Sequence, residues 1–361
     1  MSTQGLTAFG LFVGRSIVLG LAIACVVMLI KPNLVARTQN EGGQSASYAR
    51  AVAASAQAVV NVYTTRRVLS PAGTPTSTPL RSAVQTNLGS GVIIDADGYI
   101  VTNNHVITQA AAIRIQLADG RVADADIVGQ DPDTDLALLK VSLSNLEPIQ
   151  LGRSDQMQIG DVVLAIGNPY GLSQTVTQGI ISATGRGLLG VTTFENYIQS
   201  DAAIISGNSG GALINTRGEL IGINTAVISR EVNIQGISFA IPINLVSGVV
   251  RALRENGRVL RGWLGLDMRP LTDEQWSELG LAPGTGILLG AVQHQGPAWQ
   301  AGIRPGDVLV SINDLPVTNN QEALLTVAGY TPGTELNIEL IRAGQRFRTI
   351  ATAGDRSEST R

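Results

Sequence analysis

The sequence predicts a mainly β protein in which an apolar N-terminal helix precedes one larger and one smaller β-rich unit. Three observations favour this fold class. The 361-residue chain is too long for a single ordinary core, so we expect about two domains. Its 41 glycines, with 15% charged and 4% aromatic residues, are typical of many short strands and turns. One segment near the start is long and strongly apolar.

The apolar segment extends from Phe9 to Ile30, and Arg15 is its only charged residue. Its 22 residues would form a helix of about 33 Å, which spans the hydrocarbon core of a bilayer. Arg15 can snorkel to the headgroups. A cleaved signal peptide is the alternative, but Leu34-Val35-Ala36 matches its cleavage pattern poorly. We predict this organisation: a short segment at 1–8, a retained transmembrane anchor at 9–31 and a linker at 32–50.

Charge and cysteine content exclude several function classes. The 25 basic and 28 acidic residues give a net charge of −3, with no long run of either sign, which argues against nucleic-acid binding. Cys25 is the single cysteine and lies in the apolar segment. The domains that follow therefore have no disulfide, cysteine nucleophile or thiolate metal site.

Strand-sized apolar runs, bounded by glycine, aspartate or asparagine turns, begin near Ala51. They predict an antiparallel β domain, either a sandwich or a barrel, over about 51–245. The runs are 58–63, 91–95, 113–117, 136–141, 162–166, 212–214, 220–224 and 237–241.

The segments around these runs have their own signals. The stretch 66–87 is rich in Pro, Ser and Thr and predicts an exposed flexible loop. Helical spacing over 245–255 ends at Asn256-Gly257 and predicts a helix. A second, smaller unit begins near Arg261 and ends near Ala353, followed by a charged tail.

Hydrolysis of an amide by a serine requires a base beside the hydroxyl, and His105 is the candidate base, with Asp135 as its carboxylate partner. His105 follows the apolar strand that ends at Val101. Asp135 heads a fully apolar run, so it can be carried inside to face the imidazole. Asp131 and Asp133 precede a turn and are predicted to be solvated.

The nucleophile candidate is Ser209, within Gly207-Asn208-Ser209-Gly210-Gly211. The flanking glycines let the backbone turn sharply and aim the amides of Gly207 and Ser209 at one point, where an oxyanion would form. A glycine turn alone is weak evidence. The order His, Asp, Ser in strand contexts is far more specific.

At these residues the sequence resembles the HtrA family of chymotrypsin-fold serine proteases. The matching segments are 88–94, 102–107, 134–140, 165–170, 177–182, 199–203 and 207–213. The resemblance implies a chymotrypsin-like double β-barrel over 51–255, with the triad in the cleft between the barrels. His105 would take the proton of Ser209, and Asp135 would hold the imidazole tautomer. Gly207, Asn208 and Ser209 would form the oxyanion hole, and no metal or cofactor is implied.

One departure from the family pattern precedes the serine loop. The family usually has Asn-Pro there, and this chain has Ile205-Ser206. Because proline stiffens a loop, its loss predicts a more mobile oxyanion loop in the resting state.

The smaller unit resembles the PDZ domains of bacterial proteases, over 258–353. An apolar-Gly-apolar loop before a strand can point amides at a peptide carboxylate, and the strand edge can pair with the peptide. Leu264, Gly265 and Leu266 match that carboxylate-binding loop. His294 lies far from any nucleophile motif and is predicted to be structural or on the surface. A tail occupies 354–361.

One anchor, one protease unit and one PDZ domain resemble the membrane-anchored site-1 proteases of this family. The resemblance implies a periplasmic, inner-membrane homotrimer in which Arg186 and Tyr170 relay PDZ occupancy to the oxyanion site. C-terminal peptides of misfolded outer-membrane proteins would activate it, and the periplasmic part of an anti-sigma factor would be its substrate. The alternatives are a broad quality-control protease and a catalytically silent peptide-sensing scaffold.

Overall fold

The chain forms two compact units, Met1–Ala49 and Arg50–Arg361. The computed structural model describes residues 15–22, 47–70, 81–168, 174–187, 189–205, 207–225 and 236–356. In the first unit, residues 15–22 are helical and exposed. The rest of the predicted anchor at 9–31, with Cys25, lies outside the described residues. Within the described part of the chain, no helix combines the length and apolarity that crossing a membrane requires.

A closed barrel of six strands, in the order β1-β2-β3-β6-β5-β4, forms the first half of the second unit. Its strands are β1 Val59–Ser70, β2 Arg81–Ile93, β3 Tyr99–Asn103, β4 Ala112–Gln116, β5 Val122–Asp131 and β6 Leu136–Val141. The helix Ala49–Ser55 and the 3₁₀ turn Ala56–Ala58 precede β1, and the helix Asn104–Ile107 follows β3. Ile113 and Ile115 of β4 point inward while Arg114 points outward, the alternation of a strand with one solvated face.

The predicted flexible loop at 66–87 is paired strand at both of its ends, 66–70 and 81–87, so the prediction is wrong for those residues. β1 and β2 continue as one antiparallel hairpin in which Arg66 pairs with Gln85 and Ser70 with Arg81. The Arg66 guanidinium also donates to the Gln85 side chain. The prolines of this segment, and most of its serines and threonines, lie at 71–80, outside the described residues.

A second closed barrel follows, with strand order β10-β11-β12-β9-β8-β7. Its strands are β7 Val162–Gly167, β8 Thr175–Arg186, β9 Tyr197–Ser200, β10 Ala212–Asn215, β11 Leu220–Thr225 and β12 Ser238–Pro242. The 3₁₀ turn Ser154–Gln156 precedes it. The predicted helix is confirmed as Ile243–Asn256, which ends where Gly257 adopts φ 69°. Of the two predicted alternatives, sandwich and barrel, the barrel is observed, twice.

The C-terminal β unit is a separate sheet in the order β14-β15-β16-β18-β19, with β17 beside β16 and a small β13-β20 pair. Its strands are β13 Gly262–Trp263, β14 Leu266–Pro270, β15 Ile287–Val292, β16 Val308–Ile312, β17 Leu315–Pro316, β18 Glu335–Arg342, β19 Gln345–Thr352 and β20 Gly354–Asp355. Its helices are Asp273–Glu278, Pro297–Gln300 and Asn320–Ala328. β14 is at the end of the strand order, so one of its edges has no partner among the strands described.

The C-terminal tail begins later than the predicted position 354. Gly354–Asp355 pairs with Gly262–Trp263 as the β13-β20 ladder. The main-chain N–H of Arg356 then donates to the Arg261 carbonyl. Residues 354–356 are therefore part of the folded unit, because they pair with residues 261–263 at its beginning.

Candidate active site

The predicted histidine and aspartate are in direct contact. His105 lies in the helix after β3, and Asp135 immediately precedes β6, the strand that pairs with β3. His105 Nδ1 is 2.7 Å from Asp135 Oδ2, and the main-chain N–H of His105 donates to Oδ1 at 2.9 Å. The imidazole is 34% exposed and the carboxyl side chain 13%. A partly exposed imidazole is thus held by a mostly buried carboxylate.

Asp135 has an unusual backbone conformation, with φ 57°, a region that residues other than glycine seldom adopt. Its carbonyl accepts hydrogen bonds from Asn104 N–H at 3.0 Å and from Asn103 Nδ2 at 3.1 Å. With the two contacts to His105, these bonds compensate the strained backbone and fix the direction of the carboxylate.

The serine loop turns sharply on its glycines. Gly207 has φ 101° and Gly210 has φ 82°, conformations that glycine adopts without steric cost. Ser209 lies between them and is buried. Gly210 N–H donates to the Asn224 carbonyl at 2.9 Å. The predicted tight turn is confirmed, and it leads directly into β10.

The first barrel supports this loop. Ser90 N–H donates to the Ser209 carbonyl at 2.8 Å, and Ser90 Oγ donates to the Gly207 carbonyl at 2.7 Å. A Cβ at Gly210 would collide with Ser90 O and Thr102 Oγ1. Because Thr102 belongs to β3, which leads into His105, the serine loop and the imidazole lie at the same strand end.

Asn208 packs behind the loop. Its main-chain N–H donates to the Ile205 carbonyl at 2.9 Å, so that N–H is engaged within the loop itself. Its side chain is fully buried over Gly167. Neither amide atom of that side chain has a hydrogen-bond partner among the described residues. The remaining candidates for the oxyanion donors are the amides of Gly207 and Ser209.

The predicted relay residues are placed only in part. Arg186 is exposed at the end of β8, and its Nε donates to Gln199 Oε1 at 2.9 Å. Tyr170 and Ser206 lie outside the described residues. Ile205 is 44% exposed, and nothing in the structure explains isoleucine at this position.

A buried ion pair joins the double barrel to the C-terminal unit close to Asp135. Arg261 donates to both oxygens of Asp131, each at 2.6 Å, and their side chains are 10% and 4% exposed. Thr134 Oγ1 also donates to Asp131. The prediction that Asp131 is solvated is wrong, because an arginine from a distant part of the chain covers it.

Asp133 makes a second link of the same kind. Arg356 Nε donates to Asp133 Oδ2 at 2.9 Å, and Arg356 also donates to Thr193 Oγ1. The guanidinium groups of Arg261 and Arg356 lie 4.6 and 5.5 Å from the centroid of the Phe194 ring, within cation–π range. The turn that ends in Asp135 therefore contacts the C-terminal unit through both of its preceding aspartates.

The loop between β8 and β9 is anchored from within. The buried Glu195 carboxylate accepts hydrogen bonds from the main-chain N–H groups of Leu189, Val191 and Thr192 at 2.6, 2.7 and 3.2 Å. Burial raises the pKa of Tyr197 to about 12, although a hydrogen bond with Thr192 opposes the rise. The phenol therefore stays neutral at physiological pH, and the Glu195 carboxylate ties together residues 189, 191 and 192.

The loop proposed to bind a peptide carboxylate opens an apolar groove. Leu264 is buried, Gly265 has φ 78°, and Leu266 begins the edge strand β14. The groove is lined by Gly262, Trp263, Leu264, Gly265, Leu266, Met268, Leu309, Ile312, Ala323, Leu324, Val327 and Arg356. Arg356 thus lines the groove and also contacts Asp133. His294 is exposed and lies against the Trp299 ring, so of the two predicted alternatives, structural or on the surface, it is on the surface.

Sequence reasoning missed two functional groups of residues. Ser90 lies in the matching segment 88–94, and its role is not predicted there, although the glycines on either side of it, Gly89 and Gly91, are a signal of close backbone approach in a strand. Arg261 and Asp131 had no local signal, because their contact spans 130 positions of sequence.

Comparisons with known proteins match both β-rich parts of the chain. The model of the trypsin-like peptidase domain matches residues 89–223, and that of the PDZ domain matches residues 262–351. Serine endoprotease DegS of Salmonella typhimurium is 41% identical over 342 residues, which cover 91% of this chain and 93% of that protein. Periplasmic serine endoprotease DegP of Escherichia coli is 45% identical over 261 residues, 72% of this chain. The chain spans about half of the length of DegP, 55%.

Solved structures show the same architecture. HtrA-type protease AlgW with a decapeptide superposes with a TM-score of 0.77 at 46% identity, covering 86% of this chain and 99% of that one. The serine endoprotease of Yersinia pestis superposes with a TM-score of 0.69 at 43% identity, covering 86% and 98%. The chain is a serine protease of the HtrA family, with a trypsin-like double barrel followed by one PDZ domain.

Proposed function

We propose that this protein is a peptide-activated serine endopeptidase in which His105, Asp135 and Ser209 perform the chemistry. The observation that carries the proposal is the contact of His105 Nδ1 with Asp135 Oδ2 at 2.7 Å. It leaves Nε2 as the nitrogen that can serve the Ser209 hydroxyl. The serine loop supports it, since that loop and the imidazole lie at the same end of β3.

In this mechanism, Ser209 Oγ attacks the carbonyl carbon of a peptide bond while His105 Nε2 accepts the hydroxyl proton. Asp135 stabilises the imidazolium that forms, and the amides of Gly207 and Ser209 donate to the developing oxyanion. The imidazolium then protonates the leaving amine. Water hydrolyses the acyl-serine by the same steps with His105 again as the base, which returns the proton to Ser209.

The PDZ groove is the proposed activator site. A free peptide carboxylate would meet the turn formed by Leu264, Gly265 and Leu266, and the extended peptide would pair with the edge of β14. The apolar lining of the groove favours peptides that end in apolar side chains. The AlgW structures that carry peptides are consistent with this use of the domain.

Arg356 supports a link between groove and triad. It lines the groove and donates to Asp133, two residues before Asp135. If the peptide contacts Arg356 better in the active state of the protein than in the resting state, its binding favours the active state. The size of the shift is set by the difference between the two binding free energies. Arg186, in contact with Gln199 of β9, and Tyr170 are the proposed relay residues on the oxyanion side, by resemblance to the family.

The cellular role is proposed from the relatives. The similarity to DegS and the name of periplasmic DegP support a periplasmic enzyme. We propose an inner-membrane anchor at 9–31, a homotrimer, activation by C-termini of misfolded outer-membrane proteins, and cleavage of an anti-sigma factor in its periplasmic region.

The test is cleavage of casein by the full chain with and without a decapeptide that ends in three apolar residues and a free carboxylate. We expect cleavage to be much faster with the peptide and unchanged by the same peptide as a C-terminal amide. Ser209→Ala should show no cleavage, and Arg186→Ala should respond weakly to the peptide.

The control arms separate the alternatives. Equal cleavage with and without the decapeptide would indicate a broad quality-control protease. Binding of the decapeptide without cleavage of casein or of an anti-sigma ectodomain would indicate a silent scaffold. Full activity in Ser209→Ala would overturn the assignment of the nucleophile.

A further inference from the structure

We infer that Ser90 is a positioning residue for the oxyanion loop, acting from the opposite barrel. This inference rests on the proposed roles of Gly207 and Ser209. Ser90 lies in β2 of the first barrel and is fully buried. Its main-chain N–H holds the Ser209 carbonyl, and its hydroxyl holds the Gly207 carbonyl. One residue therefore fixes both residues whose amides are the candidate oxyanion donors.

The Ser90 hydroxyl is needed because nothing in Gly207 itself limits its backbone conformation. Gly207 has φ 101°, and because it has no side chain, several backbone conformations near this one are open to it. The hydrogen bond from Ser90 Oγ, 2.7 Å long, is made in a buried site where water does not compete for the Gly207 carbonyl. Without it, the loop gains access to other orientations of the peptide groups around Gly207.

Ser90 is itself held in place. Its Oγ accepts a hydrogen bond from Asn168 N–H at 3.0 Å, so its own proton is directed to Gly207. Asn168 Nδ2 donates to Asn61 Oδ1, and Asn61 donates to Gln116 in β4. Thr102 Oγ1 donates to the Ser90 carbonyl at 2.7 Å. The chain of hydrogen bonds runs from the wall of the first barrel to the serine loop.

The effect should appear in the chemical step and not in substrate binding. Oxyanion donors act on the transition state, so their misplacement lowers kcat and leaves KM nearly constant. Loss of one donor costs about 10²–10³ in kcat. Ser90→Ala removes only the restraint on a donor, so we expect kcat to fall by about 10–100-fold.

The experiment measures kcat and KM on casein-derived fluorogenic peptides at saturating decapeptide, for the wild type, Ser90→Ala and Ser90→Cys. Inhibition by a peptide boronic acid, which mimics the tetrahedral intermediate, should weaken by the same factor as kcat. Ser90→Cys fills the site with a weaker donor and should be intermediate, and it provides the test if Ser90→Ala does not fold. Ser55→Ala is the matched control, since Ser55 is also fully buried and donates to the Ala51 carbonyl at 2.8 Å, within the helix Ala49–Ser55 that precedes β1.

Wild-type kcat and boronate affinity in a folded Ser90 variant would overturn the inference, as would an equal loss in Ser55→Ala. A wild-type protein that cleaves nothing would instead overturn the proposed function.

Discussion

Asp135→Asn is expected to lower kcat by about 10⁴ while leaving the fold and PDZ binding intact. The expectation follows from the two contacts that the carboxylate makes. Oδ1 accepts the main-chain N–H of His105, and Oδ2 accepts the ring N–H at Nδ1. In the amide, the oxygen stays with the main-chain N–H, since the amide nitrogen cannot accept that bond.

The amide nitrogen of the substituted side chain then faces His105 Nδ1 and donates to it. This stabilises the tautomer whose proton is on Nε2, which cannot accept the Ser209 proton. The measurement is kcat on the fluorogenic peptide at saturating decapeptide, with circular dichroism to check the fold. Asp124→Asn, at an exposed carboxylate of β5, is the control that should retain full activity. A folded Asp135→Asn protein with kcat within about tenfold of the wild type would contradict the proposed role.

Arg261→Ala is expected to lower the free energy of unfolding by about 3–5 kcal/mol. The substitution leaves the Asp131 carboxylate, 4% exposed, without its bidentate partner, and an uncompensated buried charge is costly. The turn that it anchors ends in Asp135, so we also expect a weaker response of cleavage to the decapeptide. Urea unfolding and the peptide-dependent assay measure the two effects.

A double variant separates stability from coupling. Arg261→Met with Asp131→Leu replaces the ion pair by apolar side chains, which should recover most of the lost stability. It restores no directional link between the domains, so the peptide response should stay weak. Arg114→Ala, which breaks an exposed pair with Asp124, should change the stability by less than about 1 kcal/mol. An Arg261→Ala protein as stable as the Arg114→Ala control would show that the pair does not join the domains as described.

Much of the fold follows from local patterns in the sequence. The apolar run that became β6 and the helix ended by Gly257 are short-range features set by periodicity and a left-handed glycine. The sharp turn at Ser209 follows from the glycines around it. The two ends of the 66–87 segment carry no such local signal, because each becomes a strand by pairing with the other.

The parts that could not be predicted depend on distant contacts. The sequence places Asp131 and Asp133 before a turn, where carboxylates are usually solvated, and only the folded chain brings Arg261 and Arg356 to them. The role of Ser90 likewise requires that the two barrels meet, because its partner Gly207 is 117 positions away.

Labelling with a fluorophosphonate probe tests the assignment of the nucleophile most directly. Such probes react with a serine only when a neighbouring base activates its hydroxyl. After treatment of the decapeptide-activated protein and proteolytic digestion, mass spectrometry should find the adduct on Ser209, with labelling greatly slowed in Asp135→Asn. Cleavage of casein by a protein that carries no adduct on Ser209, or carries it on another serine, would contradict the account.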